Sequence, residues 1–188
     1  MQKIILILAL FAPFQVHSSL VSQNLGTAAY TASETWGSFT PDLAFDGDLT
    51  TNWNAGDWTT PRGSEVQWIE VDLGQSYDIA KINLVLAQVP DGYTEHEIWL
   101  SSSAIGTDTS GASLAETLKG ITSHQQVLMA ALITPLNAQF VQIRTTVSPS
   151  WIAWYEVQVI ATPVPAAVWL FGTALIGLVG FSRRRKAA

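Results

Sequence analysis

Residues 44–53 read A-F-D-G-D-L-T-T-N-W. Two carboxylates, Asp46 and Asp48, flank Gly47, and the hydroxyls of Thr50 and Thr51 follow just before Trp53. A glycine at that place opens backbone conformations closed to residues with a Cβ, so the oxygens around it can converge on one point. A hard cation such as Ca²⁺ takes about 6–8 oxygen ligands at such a point. An indole is mostly apolar area with a single donor, so Trp53 is expected to anchor the end of the loop in a core. An ordinary polar turn between two strands is the alternative reading of the same residues.

Downstream, residues 66–73 alternate, with Val66, Trp68, Glu70 and Asp72 on one side and Gln67, Ile69, Val71 and Leu73 on the other. That pattern predicts a strand with an apolar core face. A turn at 74–77 leads to a second strand at 79–87, and V-P-D-G-Y-T at 89–94 reads as another turn. Further strands are expected at 96–101, 125–132 and 140–146, and W-I-A-W-Y-E-V-Q-V-I at 151–160 closes the series. Segments 33–41, 54–63 and 102–113 read as loops. At least six short strands without a sustained helical period predict an all-β, antiparallel sandwich.

Three motifs in order, A-x-D-G-D-x-x-T-x-W, then W-I-E-V-D-L-G, then W-x-E-V-x-V, resemble the discoidin domain. This is the coagulation factor V/VIII type C family, whose bacterial relatives include family 32 carbohydrate-binding modules. The resemblance covers residues 25–160. It implies an eight-stranded jelly roll of the galactose-binding-domain-like kind. It also implies a structural Ca²⁺ site formed by Asp46, the Asp48 carbonyl region, Thr51 and Glu156, the last standing in W-Y-E-V. Animal discoidin domains commonly close their ends with a disulfide, whereas this chain has no cysteine, which draws it toward the bacterial members.

The ends of the chain differ from the middle. Residues 1–18 carry one early lysine and an apolar run from Ile4 to Phe14, the pattern of a secretory signal peptide. Residues 164–181 are uncharged, and at about 1.5 Å per residue they reach roughly the thickness of a bilayer core. Arg183, Arg184, Arg185 and Lys186 follow at once, so the span is expected to leave the main domain, residues 19–161, outside the membrane. The tail 162–188, beginning T-P-V-P-A-A with Pro163, Val164, Pro165 and Ala166, resembles a PEP-CTERM sorting signal of the V-P-L-P-A kind. That resemblance implies an exosortase-type partner, cleavage near Pro165 and delivery to the surface or extracellular matrix of a Gram-negative bacterium. A permanent single-span anchor is the alternative.

With one cation in the leader and four in the tail, Arg62, Lys81, Lys119 and Arg144 face all fifteen Asp and Glu, so the intervening domain is near −11. Such a surface repels phosphate backbones and argues against nucleic acid. Catalysis finds little support. There is no cysteine nucleophile and no G-x-S-x-G, and His96, flanked by Glu95 and Glu97, reads as part of a solvated strand face. No cluster of His or Cys suggests zinc. The chain is therefore read as a non-enzyme.

Trp36, Trp58 and Trp151 fall among turn residues, while Trp53, Trp68, Trp99 and Trp154 sit in or beside apolar strand patterns. A ring exposed in a loop can stack on the apolar face of a sugar while nearby polar groups take its hydroxyls. Trp36, Trp58 and Arg62 are accordingly the candidate ligand residues, for a neutral or weakly polar glycan or exopolysaccharide. The same aromatics could instead cap the barrel or insert into a membrane. A structural surface or matrix protein with no specific small ligand is the alternative function.

Overall fold

The computed structural model describes residues 18–58 and 66–162. Eight strands follow one another as β1 (Ser19–Leu20), β2 (Tyr30–Ala32), β3 (Trp53–Trp58), β4 (Gln67–Leu86), β5 (Gly92–Ser101), β6 (Ser113–Thr122), β7 (Val127–Val147) and β8 (Trp151–Ala161). Two 3-10 turns, Thr27–Ala29 and Pro41–Ala44, are the helical elements among the described residues. All pairings are antiparallel, and the main path runs β1-β8-β4-β7-β5-β6, with β2 added to β4 and β3 to β8.

The sandwich arises because β4 and β7 are long and bend together. They stay paired from Gln67↔Thr145 to Val85↔Val127, with register breaks between Asp72 and Tyr77 and between Ile79 and Lys81. Gly74, at φ +74, permits the break. The first half of β4 lies between β2 and the second half of β7, which carries β5 and β6; its second half lies between the first half of β7 and β8, which carries β3 and β1. One pair of strands thus serves both layers, and Trp53, Trp154, Phe45, Ile69, Ile82, Leu84, Ile98 and Ile143 fill the space between them.

The alternation at 66–73 places Ile69, Val71 and Leu73 in the core as expected. The opposite face is not solvated throughout. Trp68 and Glu70 are buried too, because the loop after β5 folds over them: Glu70 Oε2 accepts the N–H groups of Ile105 (3.1 Å) and Gly106 (3.2 Å) and the Gln142 amide (2.9 Å). Several boundaries differ from the sequence reading. Residues 54–58, read as loop, form most of β3, which Asn54 and Trp58 enter by pairing with Ala153 and Trp151. The strands expected separately at 125–132 and 140–146 are one bent β7, and those at 66–73 and 79–87 are one bent β4. The strand β6 has no counterpart in that reading. The signal segment 1–18, apart from Ser18, and the sorting tail from Pro163 onward with its apolar span lie outside the described residues.

Candidate functional site

Two clusters nominated by sequence occupy different parts of the fold. The first starts from Trp53, which is fully buried and whose indole N–H donates to the Glu34 carbonyl (3.0 Å). That bond pins the start of the loop 33–40. The loop then lies along the edge of β3, with Trp36 N–H donating to the Asn54 carbonyl (2.9 Å) and Asn54 N–H to the Phe39 carbonyl (3.4 Å). Gly56, at φ +76, lets Trp36 approach: a Cβ there would stand 2.6 Å from Trp36 Cβ, a distance that backbone or side chain would have to relieve.

So held, Trp36 stacks on Phe39 with ring centroids 5.6 Å apart and planes 10° apart, and meets Trp151 at 5.7 Å and 49°. Trp36 is 51 % and Trp151 38 % exposed. Asn52, Asn54, Ala153 and Tyr155 line the same groove from the outer faces of the β3 side and β8, and its volume is about 360 Å³. No charged side chain lines it among the described residues. Its polar groups are amides and hydroxyls. His124 Nδ1 lies 3.1 Å from the Gln88 carbonyl and so carries the proton, which leaves Nε2 to accept from the Tyr155 hydroxyl at 3.4 Å. The groove can offer flat apolar faces with neutral donors and acceptors at their edges.

Of the three ligand candidates, Trp36 is in this groove. The register Trp58↔Trp151 brings the backbone of Trp58 to the same end of the sandwich, while its side chain and Arg62 lie outside the described residues. Sequence reasoning did not assign Phe39, Asn52, Asn54 or Tyr155 to a site. Tyr155 could have been found, because it alternates with the core residues Trp154 and Glu156 on β8 and must face outward.

The second cluster is the Asp46 loop. Gly47, at φ +80, turns it so that its N–H donates to Glu156 Oε2 at 3.0 Å across the chain. Asp46 Oδ2 accepts the Thr51 hydroxyl (2.7 Å), and Oδ1 accepts the Asp48 N–H (2.8 Å). The Asp48 carbonyl receives the same Thr51 hydroxyl (3.0 Å), while the Asp48 carboxylate turns to Thr50, whose hydroxyl and N–H hold it below the usual carboxylate range. Asp46, the Asp48 carbonyl, Thr51 and Glu156 are thus joined in one neighbourhood.

Glu156 is fully buried, and its other oxygen accepts the Gln23 amide at 2.8 Å. Burial pushes its carboxyl above the ordinary range, against those two donors, and Asp46 pushes it further. A buried carboxylate beside a second carboxylate, served only by neutral donors, is the environment a hard cation relieves. The donor set is all oxygen and fits Ca²⁺ in kind. No group of three or more His, Cys, Asp or Glu able to hold a metal occurs among the described residues, so such an ion would depend on the carbonyl and hydroxyl oxygens as well.

The histidine expected on a solvated face is not there. Glu95 and Glu97 point outward, and by alternation His96 points inward, where it is buried, edge-on to Trp154 at 4.8 Å. Burial lowers its pKa to about 3. Its Nδ1 pairs with the Thr145 hydroxyl (3.0 Å), whereas Nε2 and the Trp154 indole N–H have no partner. A neutral, enclosed imidazole of this kind is not poised for acid–base work.

Comparison with known proteins follows this geometry. The antiparallel sandwich is shared with family 32 carbohydrate-binding modules. One is the module of NanJ from C. perfringens in complex with galactose, 16 % identical, covering 77 % of this chain and 99 % of that one at a TM-score of 0.58. The sandwich is also that of chitosan-binding module 1 of a chitosanase/glucanase from Paenibacillus sp. IK-5, 25 % identical over 75 % of this chain and 98 % of its own, TM-score 0.56. A second family 32 module is that of AlyQ in complex with 4,5-unsaturated mannuronic acid, 20 % identical over 70 % and 93 %, TM-score 0.55. The F5/8 type C domain family matches residues 28–157, and the chain belongs to that family. In some similar structures the fold is one part of an enzyme chain, as in a family 89 glycoside hydrolase from Clostridium perfringens. No curated protein matches the chain.

Proposed function

We propose that this chain is an exported, non-catalytic module that binds a neutral glycan, such as a unit of an exopolysaccharide, in the groove of Trp36, Phe39 and Trp151. The observation that carries the reading is that exposed aromatic cluster, which is uncharged among the described residues of a domain carrying an excess of acid. Aromatic faces take the apolar side of a pyranose, and Asn52, the Asn54 amide and Tyr155 are placed to take hydroxyls. The related modules crystallised with galactose and with 4,5-unsaturated mannuronic acid support a carbohydrate as the ligand class. Trp58 and Arg62 belong to the same reading as residues of the adjoining segment.

In this reading Asp46, the Asp48 carbonyl, Thr51 and Glu156 hold a structural Ca²⁺, whose charge offsets the buried carboxylate. The tail serves as a sorting signal. Pro163 and Pro165 keep T-P-V-P-A open to an exosortase-type enzyme, the span 164–181 holds the chain at the inner membrane until cleavage, and Arg183, Arg184 and Arg185 stop further transfer. The mature domain then reaches the cell surface or matrix. Mass spectrometry of the protein from its own host tests the last step, since a terminus at Ala188 would refute processing.

Titration of the full chain with neutral mono- and oligosaccharides, followed by tryptophan fluorescence, tests the binding. Saturable quenching that Trp36→Ala removes is expected. Absence of any response from the wild type across neutral sugars would leave a purely structural surface protein.

A further inference from the structure

Between Lys119 and Arg144 the sequence contains no Asp, Glu, Lys or Arg. In the fold this stretch becomes the end of β6, a turn, and the first half of β7 with the segment that follows it. Residues 127–131 of β7 pair with β4 on one side, and no described strand pairs with their other side. The strand with the open edge carries apolar side chains in water: Val127 and Met129 are each 58 % exposed and Ile133 103 %. Leu128, Ala130 and Leu132 alternate with them toward the core.

Natural edge strands are usually blunted by a lysine, a proline or an inward-pointing charge, since a free edge is a template for another strand. Residues 127–131, V-L-M-A-A, have none of these. The domain as a whole carries an excess of acid, so two copies repel at many orientations of approach. The charge-free edge is a surface where that repulsion is low.

We propose that the free edge of β7 pairs antiparallel with the same edge of a second copy of this chain, about a two-fold axis near Met129. A two-fold contact presents the same patch from both sides, and an edge strand satisfies that condition by itself. Burying an aliphatic side chain removes roughly 100 Å² from water on the usual free-energy scale. Edge pairing sets Val127, Met129 and Ile133 beside their counterparts and covers part of each, so with the paired backbone the contact stays below the ~1,000 Å² that marks a specific interface. The dimer is therefore weak and concentration-dependent. Across its layer the order is β3-β8-β4-β7; the Trp36 groove is centred on β3 and β8, and its margin reaches Ala87 and, through Tyr155 and His124, the turn before Val127. A dimer so formed presents two ligand sites, with the gain in avidity that linkage brings.

The chain has no cysteine, so single introduced thiols report proximity without background. Under mild oxidation the full-length Met129→Cys chain should give a disulfide-linked dimer several-fold above Ser102→Cys, which lies in an exposed loop away from the edge. Sedimentation velocity of the wild type should show a dimer fraction that rises with concentration and with salt, because screening weakens the repulsion. Met129→Glu should lower that fraction at least tenfold in association constant, with its melting temperature and far-UV circular dichroism as controls for folding. Equal cross-linking at both positions, or association unchanged in Met129→Glu, would overturn the proposal. So would a wild-type chain that stays monomeric yet binds phosphatidylcholine vesicles in a Met129-dependent way, which would assign the edge to lipid.

Discussion

The aromatic groove and the Asp46 loop are built on opposite economies. The groove is assembled from neutral groups, pinned by backbone hydrogen bonds to β3, with Trp36 and Trp151 left in water. The Asp46 loop drives a carboxylate into the interior, where Glu156 is held by two N–H donors and pushed toward protonation by burial. A site built for reversible contact can leave its apolar surface unsatisfied at small cost, since the ligand covers it. A site that buries charge is strained until something neutralises it. The contrast assigns recognition to the first region and stability to the second.

The hardest test removes what the two regions share. Trp53 ends the Asp46 loop and its indole fixes Glu34 two residues before Trp36, so Trp53→Ala should destabilise the domain by about 3–5 kcal/mol and weaken both responses at once. Trp53→Phe keeps most of the buried area but loses the N–H, and should cost about 1–2 kcal/mol with the ligand response reduced more than the Ca²⁺ response. Denaturant melts with and without sugar and Ca²⁺ measure both. If the losses fall on one region only, the coupling through Trp53 is refuted.

Acid acts with opposite sign on the buried histidine and on the buried carboxyls. His96 has a folded pKa lowered to about 3 by burial, so the unfolded chain takes up a proton that the folded chain refuses, and stability is lost as pH falls from about 6.5 toward 3. At roughly 1.4 kcal/mol per unit, this sums to no more than about 5 kcal/mol. Glu156 and Glu70 have raised pKa values, both mainly from burial. Their contribution runs the other way: present below the unfolded carboxylate pKa, it is lost as pH rises through the folded one. A urea-melt series from pH 7 to 4 should show falling stability, and His96→Gln should flatten that fall. A wild-type profile level over this range would contradict the enclosed neutral histidine.

Glu156→Gln sharpens the comparison from the other side. The amide stays in place but sheds the charge, so in chelator the variant should match or exceed the wild type by about 1 kcal/mol. Saturating Ca²⁺ at about 100 times its Kd should stabilise the wild type by ~2.7 kcal/mol and leave the variant unmoved. A Ca²⁺-induced rise in melting temperature that survives in both Glu156→Gln and Asp46→Ala would place the ion elsewhere. The smallest stability effect belongs to the groove. Trp36→Ala should change stability by no more than about 0.5–1 kcal/mol while weakening sugar binding tenfold or more, read by fluorescence titration of the remaining tryptophans.

How far the sequence could be read follows the same division. A strand with an alternating apolar face announces itself, as Gln67–Leu73 does even though the fold buries Trp68 and Glu70 on the other face too. So does the Asp46 loop, where the residue types that turn the chain are also those that would bind a cation. β6 was not legible because S-L-A-E-T-L-K-G-I-T places exposed and half-buried residues on both faces, an edge strand with little core to record. The joining of two expected strands into β7 was hidden because T-P-L-N at the bend looks like a turn between strands rather than a bend within one. His96 was misread because its neighbours' charge was taken as its own environment, although alternation puts it on the other side. The groove was half visible. Trp36 could be seen as a loop aromatic, but only the register Asn54↔Ala153 and Trp58↔Trp151 brings it beside Trp151 and Tyr155.

The pairing of β1 with the end of β8, Ser19↔Ala161, bears on how the module carries load. Both ends of the domain emerge beside Ala161, while Trp151, at the start of the same strand, borders the groove. At about 3.3 Å per residue the two lie some 33 Å apart along a single strand. If the groove holds a polymer as proposed, a pull between it and the C-terminal end of the domain is directed along β8, which is bonded to β4 on one side and to β3 and β1 on the other. Those hydrogen bonds stand perpendicular to the strand and are loaded together in shear, instead of being opened one by one. In the proposed reading, the strand that lines the groove is also the tension member that joins it to the C-terminal end of the domain.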